Sequence, residues 1–172
     1  MRSILYILFM INILFFTGCR EKTGQKENTG RISKEQLAEI NRQLLIKDRE
    51  RIISYIERKE LDMRETDTGL WYFESVKGKG GINNGNNVIL EYTCSLLDGT
   101  VVYDSKEDGL MTFEVGKSDI PSGLNEGVQL LGEGSEAMFI MPGYLGYGLL
   151  GDENKIPARS ILVYNIKVLE VN

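Results

Sequence analysis

The chain has 172 residues, of which 42% are hydrophobic and 26% are charged, and its formal net charge is −5. This length favours one domain with appendages over two full domains, and a negative charge without any basic stripe argues against a nucleic-acid partner. Histidine is absent, which excludes Ser-His and Cys-His catalysis and most zinc sites. Cys19 and Cys94 are the only cysteines, and two do not make a disulfide framework.

Residues 1–18 are predicted to be a secretory signal peptide. Arg2 supplies a positive charge, the run from Ile4 to Phe16 is nearly all apolar, and the segment is too short to stay in a membrane as a helix. The run from Phe16 to Cys19 resembles a bacterial lipobox. This resemblance implies that Cys19 is the first residue of a lipoprotein and carries palmitate-like acyl chains that hold it in a bilayer. The alternative is a plain signal peptide with an incidental cysteine.

The other cysteine lies in a different setting. Cys94 stands in an alternating apolar stretch of a β-prone run. Small apolar cysteines of this kind are usually buried and unreactive. We therefore expect Cys94 to be a core residue.

Residues 19–32 are predicted to contain the lipidated cysteine and a flexible polar tether. Ser33 and Gln36 then have the spacing of a helix capping box. Apolar residues follow at roughly helical spacing, namely Leu37, Ile40, Leu44, Leu45, Ile52, Ile53 and Ile56. The sequence predicts an amphipathic helix over about 33–62. This helix makes up most of the segment 33–66, which precedes the C-terminal domain.

The apolar face of this helix has alternative partners. It pairs with a second copy of the chain, giving a homodimer through residues 33–62, or it packs on its own domain or acts as a spacer. Asp48 interrupts the apolar stripe, which argues against a long regular coiled coil. The sequence leaves these alternatives open.

Residues 69–172 are predicted to form one α+β domain. Its β-prone runs are separated by glycine-rich turns, including a hairpin turn at 97–100; the runs are 70–73, 88–93, 101–103, 111–115, 134–141 and 161–171. Ser122 to Leu131 has apolar residues at helical spacing and is predicted to be the one short helix. We expect an antiparallel sheet of about five strands wrapped on that helix, preceded by the N-terminal amphipathic helix.

Seven short motifs in this domain follow one another in the order of a known family. They are Tyr92-Thr93, Leu97-Asp98-Gly99, Tyr103-Asp104-Ser105, Phe113-Glu114-Val115-Gly116, Ser122 to Gly127, Met141-Pro142 with Gly146-Tyr147-Gly148, and Ile156-Pro157 before Leu162-Val163-Tyr164. In this order and spacing the domain resembles the FKBP-type peptidyl-prolyl cis–trans isomerases over residues 69–172. Its anchor and helix are similar to those of envelope members, including the lipoprotein group associated with gliding motility.

The resemblance implies a reaction that needs no cofactor and no metal. Rotation about an X-Pro bond crosses a barrier of about 20 kcal/mol, and a dry aromatic cleft lowers that barrier by binding the twisted amide better than the planar one. The implied catalytic residues are Tyr147, which donates to a substrate carbonyl, Asp104, which faces the twisted amide, and Tyr103. The implied substrate-binding residues are Tyr92, Met111, Phe113, Ile120, Pro121, Leu124, Ile156 and Tyr164. Taken singly, the tyrosines fit ordinary half-buried strand positions and Asp104 fits a turn.

The sequence departs from the family pattern at three places. Pro121 has no N–H where the family offers a backbone donor to a substrate carbonyl. The segment from Asp104 to Phe113 is short and lacks the arginine that often braces the aspartate, so that Lys106 is the basic candidate. The loop at 149–155, expected to overhang the cleft, is polar and acidic and is a candidate for steering substrate choice.

The predicted function is isomerisation of X-Pro bonds in envelope proteins during their folding. The alternative is a non-catalytic FKBP-fold chaperone or binding module for proline-containing segments, and a third is a purely structural lipoprotein. The expected partners are unfolded or proline-containing polypeptides and, through Cys19, a lipid bilayer. The expected location is the cell envelope, on the periplasmic side of the outer membrane.

Overall fold

The computed structural model describes residues 32–117 and 120–172. The predicted signal peptide, Cys19 and most of the tether therefore lie outside the described residues. The chain divides into two units, Met1–Leu37 and Ala38–Asn172. In the first unit, Gln36 donates its N–H to the Ser33 hydroxyl at 3.2 Å, and Ser33 donates its N–H to the Gln36 side chain at 2.9 Å. The predicted capping box is confirmed.

One antiparallel sheet of seven strands occupies the described part of the chain. Its spatial order is β1-β2-β6-β7-β3-β4, and β5 pairs with β3. The strands are β1 (Arg64–Glu65), β2 (Trp71–Val76), β3 (Asn87–Leu96), β4 (Val101–Asp104), β5 (Met111–Glu114), β6 (Glu136–Met141) and β7 (Leu162–Val171). The helices are α1 (Lys34–Lys59), α2 (Ser105–Asp108) and α3 (Ser122–Val128), with a 3₁₀ turn at Gly143–Leu145.

The inner face of the sheet packs on α3 and forms the main core. Leu124 and Val128 of α3 are fully buried, as are Phe139 of β6 and Leu162 of β7. The approach is close because a Cβ added at Gly127 would lie 2.7 Å from the Phe139 ring. This contact explains the glycine that closes the Ser122–Gly127 motif.

The outer face of the sheet is covered in part by the second half of α1. Ile52 is 1% exposed and lies in a second apolar cluster with Ile140, Ile161 and Val163. Burial of such a side chain contributes about 1.5–3 kcal/mol. For this half of the helix, packing on its own domain is therefore the alternative that the structure shows.

Asp48, which interrupts the apolar stripe of α1, is buried and forms ion pairs with two arginines. It is 8% exposed, and its carboxylate lies 3.3 Å from the Arg159 guanidinium and 3.6 Å from that of Arg51. The backbone N–H of Arg159 donates to the Gly148 carbonyl at 2.9 Å, which closes the root of the loop between these residues. One carboxylate thus connects the helix to the loop.

Several elements differ from the sequence prediction. The sheet has seven strands rather than about five, and neither the two-residue β1 nor the helix α2 was predicted. The helix α1 ends at Lys59 rather than near 62 or 66, because Glu60 takes a positive φ of 53°. α3 ends at Val128 rather than Leu131. In the described residues, no helix has the length and apolar character needed to cross a membrane.

Candidate active site

Nine of the predicted site residues lie together and are here called the aromatic site. Four of them are buried between the sheet and α3: Leu124 at 0% exposure, Tyr164 at 1%, Ile156 at 3% and Phe113 at 5%. The other five are half-buried and pack against this cluster; they are Tyr92, Tyr103, Met111, Ile120 and Tyr147. Residues from four strands, one helix and two loops therefore meet in one apolar group, as the motif order predicts.

Strand pairing places these side chains on one face. Cys94 of β3 lies opposite both Tyr103 of β4 and Tyr164 of β7. Because side chains alternate along a strand, Tyr92 points to the same face as Cys94. The Tyr92 and Tyr164 rings lie 6.3 Å apart with a tilt of 32°, which is a favourable aromatic arrangement.

The tyrosines of the site are neutral hydrogen-bond donors at neutral pH. Burial raises the pKa of Tyr92, Tyr147 and Tyr164 above the usual value of a phenol. The pKa of Tyr103 is raised to about 12, first by its hydrogen bond to Asp152 and then by burial. A neutral phenol can donate a proton in a hydrogen bond to a carbonyl oxygen.

Cys94 lies beneath these tyrosines and is fully buried. It is a free cysteine, and burial raises its pKa to about 11. A thiol with this pKa is protonated at neutral pH and is a poor nucleophile. The expectation of a buried core cysteine is confirmed.

Asp104 is the N-cap of α2. One carboxylate oxygen accepts the Lys106 N–H at 2.8 Å, and the other accepts the Thr93 hydroxyl at 3.3 Å. Asp108 in turn accepts the Asp104 N–H at 2.9 Å. These bonds fix the carboxylate next to Tyr103, and they give it the turn-forming role that the residue has when taken alone.

Pro121 is buried at the start of α3 and has an extended conformation, with φ −53° and ψ 134°. Its carbonyl accepts the N–H groups of Leu124 and Asn125 at 3.0 and 3.1 Å. Its own nitrogen donates nothing, because proline has no N–H. The backbone just before Ile120 includes Ser118 and Asp119, which lie outside the described residues.

The loop at 149–155 contacts Tyr103, one of the half-buried residues that form the rim of the aromatic site. The Tyr103 hydroxyl donates to the Asp152 carboxylate. The Lys155 ammonium lies 4.6 Å from the centre of the Tyr103 ring and 3.1 Å from the Asp108 carboxylate. The loop thus contacts β4 through Tyr103 and α2 through Asp108.

Sequence reasoning missed the residues that brace the site rather than line it. Asn125 of α3 accepts the Gly116 N–H at 2.7 Å and donates to the Lys117 carbonyl at 2.6 Å. The Ser105 hydroxyl accepts the Tyr92 N–H at 3.1 Å. Asn125 and Ser105 stand inside the quoted motifs, so their polar character was a usable signal. For Asp152, its place in an acidic loop was the one available signal.

The sequence profile of the FKBP-type peptidyl-prolyl cis-trans isomerases matches residues 78–169, more than half of the chain. The chain belongs to the FKBP family. The matched range runs from before β3 into β7 and includes every predicted site residue from Tyr92 to Tyr164. The helix α1 lies before it and is an addition to the FKBP domain.

Known FKBP proteins resemble this chain at moderate identity. The probable FKBP-type peptidyl-prolyl cis-trans isomerase FkpA of Neisseria meningitidis is 36% identical over 111 residues, which are 63% of this chain and 40% of that protein. A probable FKBP-type peptidyl-prolyl cis-trans isomerase of Haemophilus influenzae is 35% identical over 115 residues, 66% of this chain and 47% of the relative. The chain thus spans less than half the length of these curated relatives.

A solved structure supports the fold beyond the FKBP domain. The crystal structure of FkpA from Escherichia coli superimposes with a TM-score of 0.65 and covers 80% of this chain and 64% of that one. Sequence identity in this superposition is 23%, so that the likeness concerns the fold alone. The antiparallel α+β architecture expected from the sequence is confirmed.

Proposed function

We propose that this protein is a peptidyl-prolyl cis–trans isomerase that acts on X-Pro bonds of envelope proteins as they fold. The observation that supports the proposal is the aromatic site. Its half-buried tyrosines, with neutral hydroxyl groups, pack against a buried floor formed by Phe113, Leu124, Ile156 and Tyr164. An amide loses its resonance and part of its dipole when it twists. An apolar floor with few, well-placed donors favours that state over the planar one.

The proposed roles follow from position and burial. Leu124, Phe113, Ile156 and Tyr164 support the proline ring from below, since they are buried at 5% exposure or less. Tyr147 donates its hydroxyl to a substrate carbonyl. The Asp104 carboxylate is held in place by Lys106 and Thr93 and stabilises the twisted amide electrostatically, because fixed groups need no reorganisation during the reaction.

The remaining predicted residues form the rim. Tyr92, Met111 and Ile120 are half-buried around the floor and are proposed to contact the residues that flank the proline. Pro121 shapes the backbone at the start of α3 without offering a donor. Tyr103 completes the rim on the side of the loop.

The test is acceleration of a proline-limited refolding step by the full-length chain in detergent. Uncatalysed X-Pro isomerisation takes about tens of seconds at 25 °C, and we expect the slow phase to shorten in proportion to protein concentration. An unchanged slow phase in a large excess of folded protein would favour the second candidate. That candidate is a binding module for proline-containing segments, and the missing N–H at Pro121 is the observation that favours it.

We also propose that Cys19 is acylated and anchors the protein in the envelope, on the periplasmic side of the outer membrane. The support is the signal-like run at 1–18 followed by Cys19. Cys19→Ser is expected to abolish uptake of labelled fatty acid and membrane fractionation, while the circular dichroism spectrum stays that of the parent. Fatty-acid uptake by the Cys19→Ser chain would contradict the anchor.

Self-association is proposed for the first half of α1 alone. From Ala38 onward, this half leaves Ile40, Leu45 and Ile46 exposed by 41–45%, whereas the second half is occupied by its own domain. Ile40 lies on one face of the helix with Leu44, four residues further on, and two copies of this face can cover each other in a homodimer. Sedimentation of the Ile40→Glu/Leu44→Glu double variant should give a monomer where the parent gives a dimer, and the same mass for both would contradict the proposal.

A further inference from the structure

A single carboxylate organises the loop at the rim of the aromatic site. One oxygen of Asp152 accepts the backbone N–H groups of Asn154 at 3.0 Å and Ile156 at 2.7 Å. The other oxygen accepts the Tyr103 hydroxyl. Asp152 therefore joins the loop's own turn to a side chain of β4, 49 residues away in sequence.

The turn that Asp152 closes determines where Ile156 lies. The Asp152 N–H donates to the Ile156 carbonyl at 3.2 Å, so that the two residues are bonded in both directions. The turn is tight, because a Cβ added at Gly151 would lie 2.1 Å from the Ile156 carbonyl oxygen. Ile156 is 3% exposed in the floor of the site, and a turn that opened would withdraw it.

The carboxylate is well suited to this task at neutral pH. Burial pushes its pKa up, but hydrogen bonds from Tyr103 and from the Ile156 and Asn154 amides outweigh burial, and the pKa of Asp152 is lowered. Asp152 is therefore ionised, and hydrogen bonds to an ionised acceptor are stronger than neutral ones. The other link, between Lys155 and Asp108, joins side chains that are 43% and 28% exposed, and exposed pairs contribute little.

From this geometry we infer that Asp152 is a positioning residue of the isomerase, which holds Ile156 in the floor and Tyr103 at the rim in one arrangement. The inference rests on the proposed function. It also changes the role of Tyr103, because a hydroxyl already donated to Asp152 is not free to donate to substrate. Tyr103 and Asp152 then act as one unit, and removal of either group breaks the same contact.

This unit can be tested by comparing single and double variants of the full-length chain in detergent. For Tyr103→Phe, we expect kcat/KM towards a short proline peptide to fall about three- to tenfold, the range for one lost hydrogen bond. Asp152→Ala removes the acceptor of three hydrogen bonds and should lose at least as much. The double variant should be no slower than the slower single variant, because coupled residues are not additive. If its loss equals the product of the single losses, Tyr103 acts on substrate independently and the inference is wrong.

Glu153→Gln is the matched control. Glu153 is exposed, and this substitution removes the same charge one residue away. Its kcat/KM should stay near that of the parent. A loss equal to that of Asp152→Ala would show that loop charge, rather than the Asp152 contacts, affects the reaction and would overturn the inference.

Amide hydrogen exchange separates positioning from a general loss of stability. Asp152→Ala should increase exchange at the Asn154 and Ile156 amides, whereas Tyr103→Phe should leave both protected, since it keeps the turn. If Asp152→Ala fails to fold, Asp152→Asn takes its place. Its amide oxygen still accepts from the loop but its NH₂ group cannot accept from Tyr103, so its kcat/KM should match Tyr103→Phe, and parental kcat/KM would overturn the inference.

An inactive parent would contradict the proposed function without deciding the role of Asp152. The same variants would then be compared by their affinity for the proline peptide. Weaker binding by Asp152→Ala and Tyr103→Phe, with parental binding by Glu153→Gln, would support the positioning role. Equal affinities in all four proteins would overturn it.

Discussion

The two faces of the sheet use the same strands for different purposes. On the inner face, Phe139 and Tyr164 pack on α3 and lead to the tyrosine hydroxyls of the aromatic site. On the outer face, Ile140 and Val163 pack on Ile52 of α1 in a purely aliphatic contact. Adjacent residues of β6 and β7 therefore serve opposite faces, because side chains alternate along a strand.

The outer face therefore contributes to the stability of the domain, whereas the inner face contributes to stability and also forms the aromatic site. The four buried residues of the outer cluster, Ile52, Ile140, Ile161 and Val163, have aliphatic side chains without hydrogen-bond donors, so their variants should change the free energy of unfolding and leave activity per folded molecule intact. The inner face combines both roles, since its buried floor is also core. Variants of the rim should change activity with little effect on stability.

The largest expected effect is on the inner face. Leu162 is fully buried in β7, and Leu162→Ala should lower the free energy of unfolding by about 2–5 kcal/mol, through lost burial and the cavity that remains. Denaturant unfolding measures this loss. Leu130→Ala, at a position that is 42% exposed, is the control and should cost much less. Equal losses would show that Leu162 is not a core residue.

A smaller loss is expected on the outer face. Ile52→Ala should lower the free energy of unfolding by about 2–3 kcal/mol, the lower part of the range for such truncations, because the helix can shift towards the sheet. Ile40→Ala, on the same helix but 45% exposed, is the matched control. Isomerase activity per folded molecule should equal that of the parent for Ile52→Ala. A lower activity would mean that α1 contributes to the site.

The rim should respond in the opposite way. Tyr147→Phe should reduce kcat/KM by about two- to tenfold, equivalent to one neutral hydrogen bond, with a melting temperature close to that of the parent. Tyr144→Phe is the control on the same segment, since the Tyr144 hydroxyl donates to the Thr68 carbonyl at 2.7 Å outside the site. If Tyr144→Phe loses as much activity as Tyr147→Phe, the Tyr147 hydroxyl has no special role.

The last effect is of opposite sign and is expected at Pro121. Pro121→Ile restores a backbone N–H at the position where the family offers a donor, and it frees the backbone angle that the ring fixes. Activity towards a proline peptide should rise by up to about tenfold, and a macrolide inhibitor of the family should bind more tightly. Activity equal to or below the parent at an unchanged melting temperature would show that this donor is irrelevant here.

Features built from neighbouring residues could be predicted from the sequence. The capping box needs Ser33 and Gln36 alone, and the turn at 97–100 forms with Gly99 at φ 95° and the Leu96 N–H donating to the Thr100 carbonyl at 2.9 Å. The ordered motifs also located the aromatic site, because they carry the resemblance to a family whose fold brings them together.

Features that depend on distant partners could not be predicted. The strand β1 has two residues, and it forms because Arg64 and Glu65 meet Tyr72 and Trp71 of β2. No local pattern marks so short a strand, since alternation needs about four residues to be recognised. For Asp104, the sequence left two interpretations open, a catalytic carboxylate and a turn former. Its hydrogen bonds with the Lys106 N–H and the Thr93 hydroxyl depend on the folded chain.

The sequence by itself determined the α+β architecture, through the periodicity of its apolar residues, and the family, through the order of motifs that resemble those of the FKBP-type isomerases. The tertiary structure alone decided what the charged residues do. In the sequence, Asp48 is a charged residue that interrupts an apolar stripe. The folded chain shows its partner, because the guanidinium of Arg159, 111 positions later, lies beside it. In the sequence, Asp152 is one acidic residue of a polar loop, and the folded chain shows that it accepts a hydrogen bond from the Tyr103 hydroxyl. A charged side chain acquires its role from the group it meets, and folding brings that group from a distant part of the chain.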